Sequence, residues 1–189
     1  MNSFFPEDKD VPAELIFNGI KIRQLRSTDN ELDYQAAIDS GFRPEGFPKD
    51  VNLEQISKHE LDHNNKIEFA YTILDEEETV CFGCLFVKPI SPFLKFAFFN
   101  DRMCEHLELT DNDAAISFWI TPTGWDRKYF SKILEKLTEW FKNDWPYEKL
   151  FYLGMGPSEK EFAIIEETSL DQRFLLQLGS EKYILWQLF

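Results

Sequence analysis

The most regular pattern in the chain lies in residues 129–141, where apolar side chains recur at helical spacing. The apolar stripe consists of Tyr129, Phe130, Ile133, Leu134, Leu137, Trp140 and Phe141. It predicts an amphipathic helix that packs one face on a sheet. Short apolar runs over 114–120 and 149–153 precede and follow the helix and predict buried strands. The three elements fit the length of a right-handed crossover between parallel strands.

Two hairpins are predicted earlier in the chain. Asn18-Gly19 separates residues 15–17 from residues 20–25, and this dipeptide suits a two-residue type I′ turn. An acidic turn separates residues 68–74 from residues 79–87, which are rich in apolar and β-branched side chains. A last strand is predicted over residues 183–188.

Three further helices are predicted from weaker signals. Thr28, followed by Glu31, forms a capping-box pattern for a helix that ends before Gly41. A second helix is predicted over residues 52–64, and a short third one over residues 170–178. Residues 90–112 have no clear period, so they are interpreted as a long connection with one strand near Phe96 to Phe99. Phe93 and its neighbours there are interpreted as core or as a lid; if exposed, they would form a homodimer surface.

Composition fits a single folded domain. The chain has 189 residues, and 16% of them are aromatic. This length suits one domain with a substantial core, and the aromatic content argues against disorder. Residues 1–12 are polar and contain Pro6 and Pro12, so they are expected to form a loose arm. Residues 13–189 are then the single domain.

Charge and cysteine content narrow the environment of the protein. The chain carries 20 Lys+Arg against 34 Asp+Glu, a net charge of −14, which argues against general binding to nucleic acid or to anionic membranes. Three cysteines do not form a secreted disulfide framework. No basic N-terminal region precedes an apolar run, and no run approaches the roughly 18 apolar residues of a membrane span. A soluble, cytoplasmic protein is therefore expected.

The order of these elements resembles the GNAT superfamily of acyl-CoA-dependent N-acyltransferases, in a bacterial branch, over residues 20–189. The local sequences that carry the resemblance are residues 32–40, 69–74, 81–87, 117–122, 140–146 and 171–179. The resemblance implies an α/β fold with a mixed, mostly antiparallel sheet, a splayed parallel strand pair and helices on both faces. It also implies transfer of an acetyl group from acetyl-CoA to an amine.

The resemblance places an acetyl-CoA site after the buried strand. By position, the residues that face the pantetheine arm are Trp119, Ile120 and Thr121. The residues that hold the phosphates are Gly124, Trp125, Asp126, Arg127 and Lys128. In the family, backbone N–H groups and a helix N-terminus bind the pyrophosphate, so no overall positive charge is needed.

The phosphate loop departs from the family pattern of Arg or Gln, two residues, Gly, one residue, and Gly or Ala. This chain has one glycine, Gly124, then the bulky Trp125 and the carboxylate of Asp126. A carboxylate repels phosphate oxygens, and Asp126 is interpreted as the N-cap of the following helix. The departure motivates an alternative function, a non-catalytic GNAT-like binding or regulatory module.

Acetyl transfer requires a base for the amine and a proton donor for the departing thiolate. The candidates for base or relay are Asp113 and Ser117, and the candidate proton donors are Tyr71 and Tyr183. The alternative interpretation is that all four are ordinary turn, strand and core residues. The expected acceptor is a small-molecule or peptide amine, and the acidic charge of the chain favours a cationic one.

Residues His59-Glu60-Leu61-Asp62-His63 match the zinc motif H-E-x-x-H, which suggests a third hypothesis, a zinc hydrolase. Against it, Asp62 is charged where such helices pack into the core, and no third ligand follows on a second helix. The favoured interpretation is a surface helix without a metal.

Cys81 and Cys84 form a C-x-x-C pattern inside a predicted strand. Residues three apart on a strand point to opposite faces, so the two thiols are not expected to pair. Gly83 between them is interpreted as a bulge or as a close backbone approach.

Overall fold

The structure is a computed structural model that describes residues 4–90, 113–126, 128–155, 173–178 and 181–188. Its described strands form one sheet. They are β1 (Glu14–Phe17), β2 (Ile20–Gln24), β3 (Phe69–Asp75), β4 (Cys81–Pro89), β5 (Ala114–Ile120), β6 (Leu150–Met155), β7 (Arg173–Leu178) and β8 (Glu181–Gln187). The spatial order is β1-β2-β3-β4-β5-β6-β8-β7.

Neighbouring strands are antiparallel except at β5 and β6, which run parallel. The described helices are α1 (Asn30–Asp39), α2 (Lys49–Asn64), α3 (Pro122–Asp126) and α4 (Tyr129–Asp144), with a 3-10 turn at Ser27–Asp29. The predicted helix of residues 129–141 is thus α4, which connects the two parallel strands. The predicted fold class is confirmed.

The sheet carries helices on both faces because its strands bury apolar side chains on both. Residues of the α4 stripe pack with Phe118 and Ile120 of β5 in the largest core cluster. On the other face, Ile56 of α2 packs with Cys84 of β4, and Trp119 of β5 adjoins that cluster. Alternate residues of β5 therefore face α4 or the α1–α2 layer, as the period of a strand requires.

The first hairpin forms as predicted. Asn18 has φ 48° and Gly19 has φ 75°, the two positive values that a type I′ turn needs. The start of α1 differs from the prediction, because Asp29 rather than Thr28 is the N-cap residue. The Asp29 carboxylate accepts hydrogen bonds from buried Arg23 and from the Arg26 backbone N–H.

The described part of the N-terminal arm is packed, in contrast to the loose arm expected for residues 1–12. Phe5 is only 1% exposed and makes edge contacts with Phe69 and Trp145, with ring centroids 5.6 and 5.7 Å apart. Lys66 donates hydrogen bonds to three carbonyls of the arm, including that of Pro6. The aromatic side chains of the arm act as core, a role that the polar character of the segment concealed.

The C-terminal region contains a hairpin instead of the predicted helix over residues 170–178. Residues 173–178 form β7, which pairs antiparallel with β8. A short apolar run fits a strand as well as a buried helix turn, and its pairing with β8 decides the outcome here. The connection at 91–112, including the strand expected near Phe96 to Phe99 and the role given to Phe93, lies outside the described residues.

Among the described residues, no helix is both long enough and apolar enough to cross a membrane.

Gly83 lies at a bulge where the pairing of β4 with β3 shifts register. Cys81 pairs with Leu74 and Cys84 with Thr72, so the extra residue puts both thiols on the α1–α2 face. The expectation that they point to opposite faces is therefore wrong. Both thiols are free and buried, and burial raises the pKa of Cys81 to about 12. They are unreactive, protonated core groups.

The interpretation of Gly83 as a close backbone approach is confirmed. A Cβ on Gly83 would lie 1.9 Å from the carbonyl oxygen of Trp119, and Gly83 pairs with Ile120, the last residue of β5. A side chain at position 83 cannot fit without moving the end of β5 away from β4.

Replacing Gly83 by alanine is expected to lower the free energy of unfolding by about 3 kcal/mol, because the new methyl overlaps rigid backbone. Urea unfolding followed by circular dichroism measures the change. Gly46→Ala is the matched control, since Gly46 also has a positive φ, +81°, but open space around its Cβ position. Its cost is expected to be roughly 1 kcal/mol of backbone strain. Equal losses in the two variants would contradict the steric account.

Candidate active site

The parallel contact between β5 and β6 is short. It consists of three residue pairs, Ala114 with Leu150, Ala115 with Phe151 and Ile116 with Tyr152. β5 nevertheless continues to Ile120, paired on its other edge with β4. Over residues 117–120 the edge of β5 that faces β6 has no strand partner within the described ranges. The β5–β6 ladder therefore ends at Ile116, and the gap beyond it, between residues 117–120 of β5 and the end of β6, is called the cleft below.

The turn after β5 closes one end of this cleft. The Thr121 N–H donates to the Phe82 carbonyl at 2.7 Å, which extends the β4–β5 ladder by one bond. Thr121 in turn accepts the N–H of Trp125 on its carbonyl at 3.1 Å and that of Gly124 on Oγ1 at 3.3 Å. Two N–H groups of the expected phosphate loop are thus already used within the loop.

The other loop residues also differ in part from the sequence interpretation. Asp126 is exposed at the end of α3 and is not the N-cap of α4; that position is occupied by Lys128, with φ 57° and no side-chain cap. The Trp125 ring stacks on Phe130 with centroids 4.7 Å apart. Arg127 lies outside the described residues.

These features suit the pantetheine arm of an acyl-CoA better than its phosphates. The unpaired edge of β5 offers backbone groups to an extended amide-containing arm such as pantetheine. The first turn of α4 has N–H groups without a side-chain cap, which suits one phosphate. The N–H groups of Gly124 and Trp125 are used within the loop, so an anion bound here would depend on the first turn of α4 and on Lys128.

The four candidate catalytic residues do not come together. Ser117 is half-buried on the unpaired segment of β5, and Tyr183 lies on β8 opposite Met155 of β6; its side chain is outside the described set. Asp113 is buried just before β5, at the paired end, roughly 20 Å of strand from Ile120. Tyr71 is buried beside Trp140 and donates its hydroxyl to the Pro12 carbonyl at 2.7 Å. Burial raises the pKa of Tyr71, and its hydroxyl is engaged by Pro12. Asp113 lies at the opposite end of β5 from Ile120.

A side pocket lies on the α1–α2 face of β4 and β5, and it shares Trp119 with the cleft. The pocket is a small, partly open depression with a cavity volume of about 30 Å³. Its lining residues are Leu25, Asp33, Ala37, Phe42, Arg43, Asn52, Gln55, Ile56, His59, Phe86 and Trp119. Because Trp119 belongs to the unpaired segment of β5, the pocket and the cleft meet at the same strand.

His59 in this pocket is paired with a carboxylate. Its Nδ1 lies 2.8 Å from Oε1 of Glu68, and Lys88 lies 3.2 Å from the other oxygen of Glu68. The His59 hydrogen bond, aided by the charge of Lys88, lowers the pKa of Glu68 to about 2. An ionised carboxylate only accepts hydrogen bonds, so Nδ1 of His59 is the donor in this pair.

The sequence singled out His59 only as a zinc ligand, and the structure gives the rest of that motif other roles. Glu60 accepts the Ser27 N–H at 2.9 Å. The His63 ring is buried against Phe69 and Tyr71, with Nδ1 3.3 Å from the Ala70 carbonyl. In the part of the chain that the structure covers, no group of three or more His, Cys, Asp or Glu side chains could hold a metal ion.

The polar groups of the pocket are unevenly paired. The Asp33 carboxylate accepts the Cys84 thiol at 3.0 Å and the Asn52 amide at 2.9 Å, so both of its oxygens are engaged. By contrast, Nε of Arg43 and Nε1 of Trp119 are buried and have no hydrogen-bond partner among the described residues. A buried donor left in this state costs about 1–3 kcal/mol.

No protein-family model matches the sequence, and no curated protein matches it significantly. Solved structures do resemble it. A candidate ribosomal-protein-serine acetyltransferase from Vibrio cholerae superposes with TM-score 0.67 at 12% identity, over 92% of this chain and 95% of that chain. A GNAT-family acetyltransferase from Bacillus anthracis gives TM-score 0.61 at 13% identity, over 92% and 95%.

A third similar structure is a ribosomal L7/L12 alpha-N-protein acetyltransferase in complex with coenzyme A. It gives TM-score 0.64 at 10% identity and covers 92% of this chain and 95% of that chain. At such low identity these three similarities show the fold alone.

Burial of His63 is expected to make the fold sensitive to mild acid. Burial lowers the pKa of His63 to about 4, below its ordinary value of 6.5, so the unfolded chain binds this proton first as the pH falls. The stability that neutral His63 contributes is therefore present above pH 6.5 and is lost between pH 6.5 and pH 4. We expect a loss of about 1.5 kcal/mol between pH 6.5 and pH 5.

Urea unfolding at several pH values between 6.5 and 5 measures this loss, in a range where most carboxylates of the unfolded chain remain ionised. His63→Gln is expected to be less stable at pH 7 and to have a flatter pH profile. An unchanged slope in His63→Gln would contradict the assignment.

Proposed function

Because the chain has the fold of the GNAT superfamily, we propose that it is an N-acetyltransferase that moves an acetyl group from acetyl-CoA to an amine. The observation that carries the proposal is the three-pair contact of β5 with β6, which leaves the edge of residues 117–120 without a strand partner among the residues that the structure describes. Free backbone at that edge can bind the amides of a pantetheine arm.

Acetyl-CoA would lie along this edge and supply an acetyl group activated as a thioester. Of the three residues expected to face the pantetheine arm, Ile120 would offer its backbone groups. The Trp119 carbonyl faces Gly83 of β4, and both backbone groups of Thr121 are engaged by Phe82 and Trp125. The uncapped first turn of α4, with Lys128 and Arg127, would hold a phosphate group. The amine acceptor would enter from the side pocket, because Trp119 adjoins both spaces.

His59 is the base that this geometry favours. The amine must lose a proton as it attacks, and histidine is the side chain that most often accepts one. Glu68 holds Nδ1 of His59 and directs proton exchange to Nε2. The His59 ring lies 5.2 Å from that of Phe86, which pairs with Ser117 on β5. Ser117 would then relay a proton between pocket and cleft. We place the reaction in the cytoplasm, where buried Cys81 and Cys84 remain thiols.

One observation favours a second function, a binding module without acetyl transfer. The N–H groups of Gly124 and Trp125 are used within the loop, and exposed Asp126 adds a negative charge beside the expected phosphates. A chain with weak phosphate contacts could keep the acceptor pocket and lose the acetyl donor.

Calorimetry with acetyl-CoA separates these two functions. The acetyltransferase proposal requires binding at micromolar to millimolar ligand and release of CoA when a primary amine is added. The amine panel includes spermidine, amino acids and short peptides with free N-termini. No detectable binding at millimolar acetyl-CoA would overturn the proposal and favour the binding module.

Replacing His59 by glutamine is expected to lower the rate of CoA release by about 10²–10⁴-fold, the usual contribution of general-base catalysis. The affinity for acetyl-CoA is expected to stay unchanged, because His59 lies in the side pocket. Stopped assays with the best amine of the panel measure the rate. Lys58→Gln is the matched control. Lys58 precedes His59 on α2 and its side chain is 70% exposed, so this variant should keep the wild-type rate. A His59→Gln enzyme with the wild-type rate and pH profile would remove His59 from the reaction.

A further inference from the structure

We propose that the side pocket recognises a carboxylate on the acceptor, and that Arg43 and Trp119 bind it. The ligand would be a primary amine that also carries a carboxylate. Its role as acceptor rests on the proposed acetyl transfer, whereas its binding to the pocket does not.

The first argument is the balance of donors and acceptors. The carboxylate of the pocket lining, Asp33, is already satisfied by Cys84 and Asn52. Glu68, which lies behind His59 and outside the lining, is satisfied by His59 and Lys88. The donors Nε of Arg43 and Nε1 of Trp119 are buried without a partner in the described part of the chain. What the pocket lacks is therefore a hydrogen-bond acceptor, and beside a guanidinium the preferred acceptor is an anionic oxygen.

The second argument is the fixed position of Arg43. Its guanidinium carbon lies 4.9 Å from the ring centre of Phe42 and 4.6 Å from that of Phe47. One terminal nitrogen donates to Gln55, and the backbone N–H of Arg43 donates to the Ala37 carbonyl at 3.0 Å. The guanidinium is thus held before a ligand binds, which lowers the ordering cost of binding. A planar guanidinium also matches the geometry of a carboxylate.

The third argument is the place of Trp119. Its ring stacks on Phe42 with centroids 5.2 Å apart, so Trp119 and Arg43 both adjoin the same ring. Trp119 also belongs to the β5 segment that borders the cleft. A ligand whose carboxylate binds here would carry its amine beside His59, another residue of the pocket lining.

The charge of the chain and the pocket walls define the ligand further. At net charge −14, the overall field repels anions, so a zwitterion that carries both an ammonium and a carboxylate is favoured over a polyanion. Leu25, Ile56 and Phe86 add apolar walls. The chemistry of the lining thus matches an amino acid, or the start of a peptide, with an apolar side chain and a nearby carboxylate, part of which would extend beyond the small pocket into solvent.

A matched set of ligands tests the proposal on the full chain without acetyl-CoA. L-Phenylalanine, L-phenylalaninamide and phenethylamine share the amine and the ring, and only the first has a carboxylate. Calorimetry or ligand-observed NMR is expected to show L-phenylalanine binding roughly 10- to 100-fold more tightly than the other two, as a charge-assisted hydrogen bond to a buried arginine implies. In Arg43→Gln this preference is expected to disappear.

The dipeptide amides Phe-Glu and Phe-Gln form a second arm. A preference for Phe-Glu over both Phe-Gln and L-phenylalanine would assign the carboxylate to a side chain of a peptide. The opposite order would assign it to a free amino acid. Either result supports a carboxylate site.

Two variants control the experiment. Lys49→Gln removes one positive charge close to α1, from a side chain that pairs with Glu31 and does not line the pocket, so it should keep the carboxylate preference. Arg43→Lys keeps the charge but lacks Nε, and it should retain only a small part of the preference, which provides a test if Arg43→Gln does not fold.

Equal binding of all ligands to the wild type, including no binding at millimolar concentration, would overturn the proposal. A preference that survives in a folded Arg43 variant would also overturn it. CoA release is measured separately, so failure of acetyl transfer and failure of carboxylate binding are distinguishable.

Discussion

The contact on which the rest of the structure depends is the close approach of Gly83 to the backbone of Trp119. Within the described part of the chain, β5 loses its neighbour β6 after Ile116, and its last four residues pair along one edge, with β4. Only a residue without a Cβ permits β4 to come that close, because the missing atom would lie 1.9 Å from the Trp119 oxygen. The same contact fixes the free edge of the cleft and the tryptophan that forms a wall of the side pocket.

The pocket gains its chemical character from which polar groups are satisfied inside the fold. Asp33 joins α1 to α2 through Asn52 and to β4 through Cys84, so its carboxylate holds these elements together. Glu68 orients His59. Arg43 and Trp119 are left with donors to offer. The acidic sequence suggested a cationic acceptor, whereas the local balance of donors points to a zwitterion, because short-range hydrogen bonds outweigh a screened average field.

Much of the fold could be predicted from the sequence, because several signals are local. The α4 stripe and the Asn18-Gly19 turn each determine their own element. The failures involve contacts between distant segments. β7 is a strand because β8 lies beside it, and the bulge at Gly83 reverses the face of Cys81. For the candidate site, position along the family pattern singled out Trp119 from the sequence. Arg43 and the pairing of His59 with Glu68 could not be predicted, because they depend on how α1 and α2 pack against the sheet.

The central claim is that the unpaired edge of β5 binds the acyl donor. Backbone hydrogen exchange with and without saturating CoA tests it most directly, because it reports on the amides themselves and not on turnover. The account predicts slower exchange at residues 117–120 and in the first turn of α4 when CoA is present, and no change in β3, which lies on the far side of β4. Unchanged exchange at residues 117–120 under saturating CoA would contradict it.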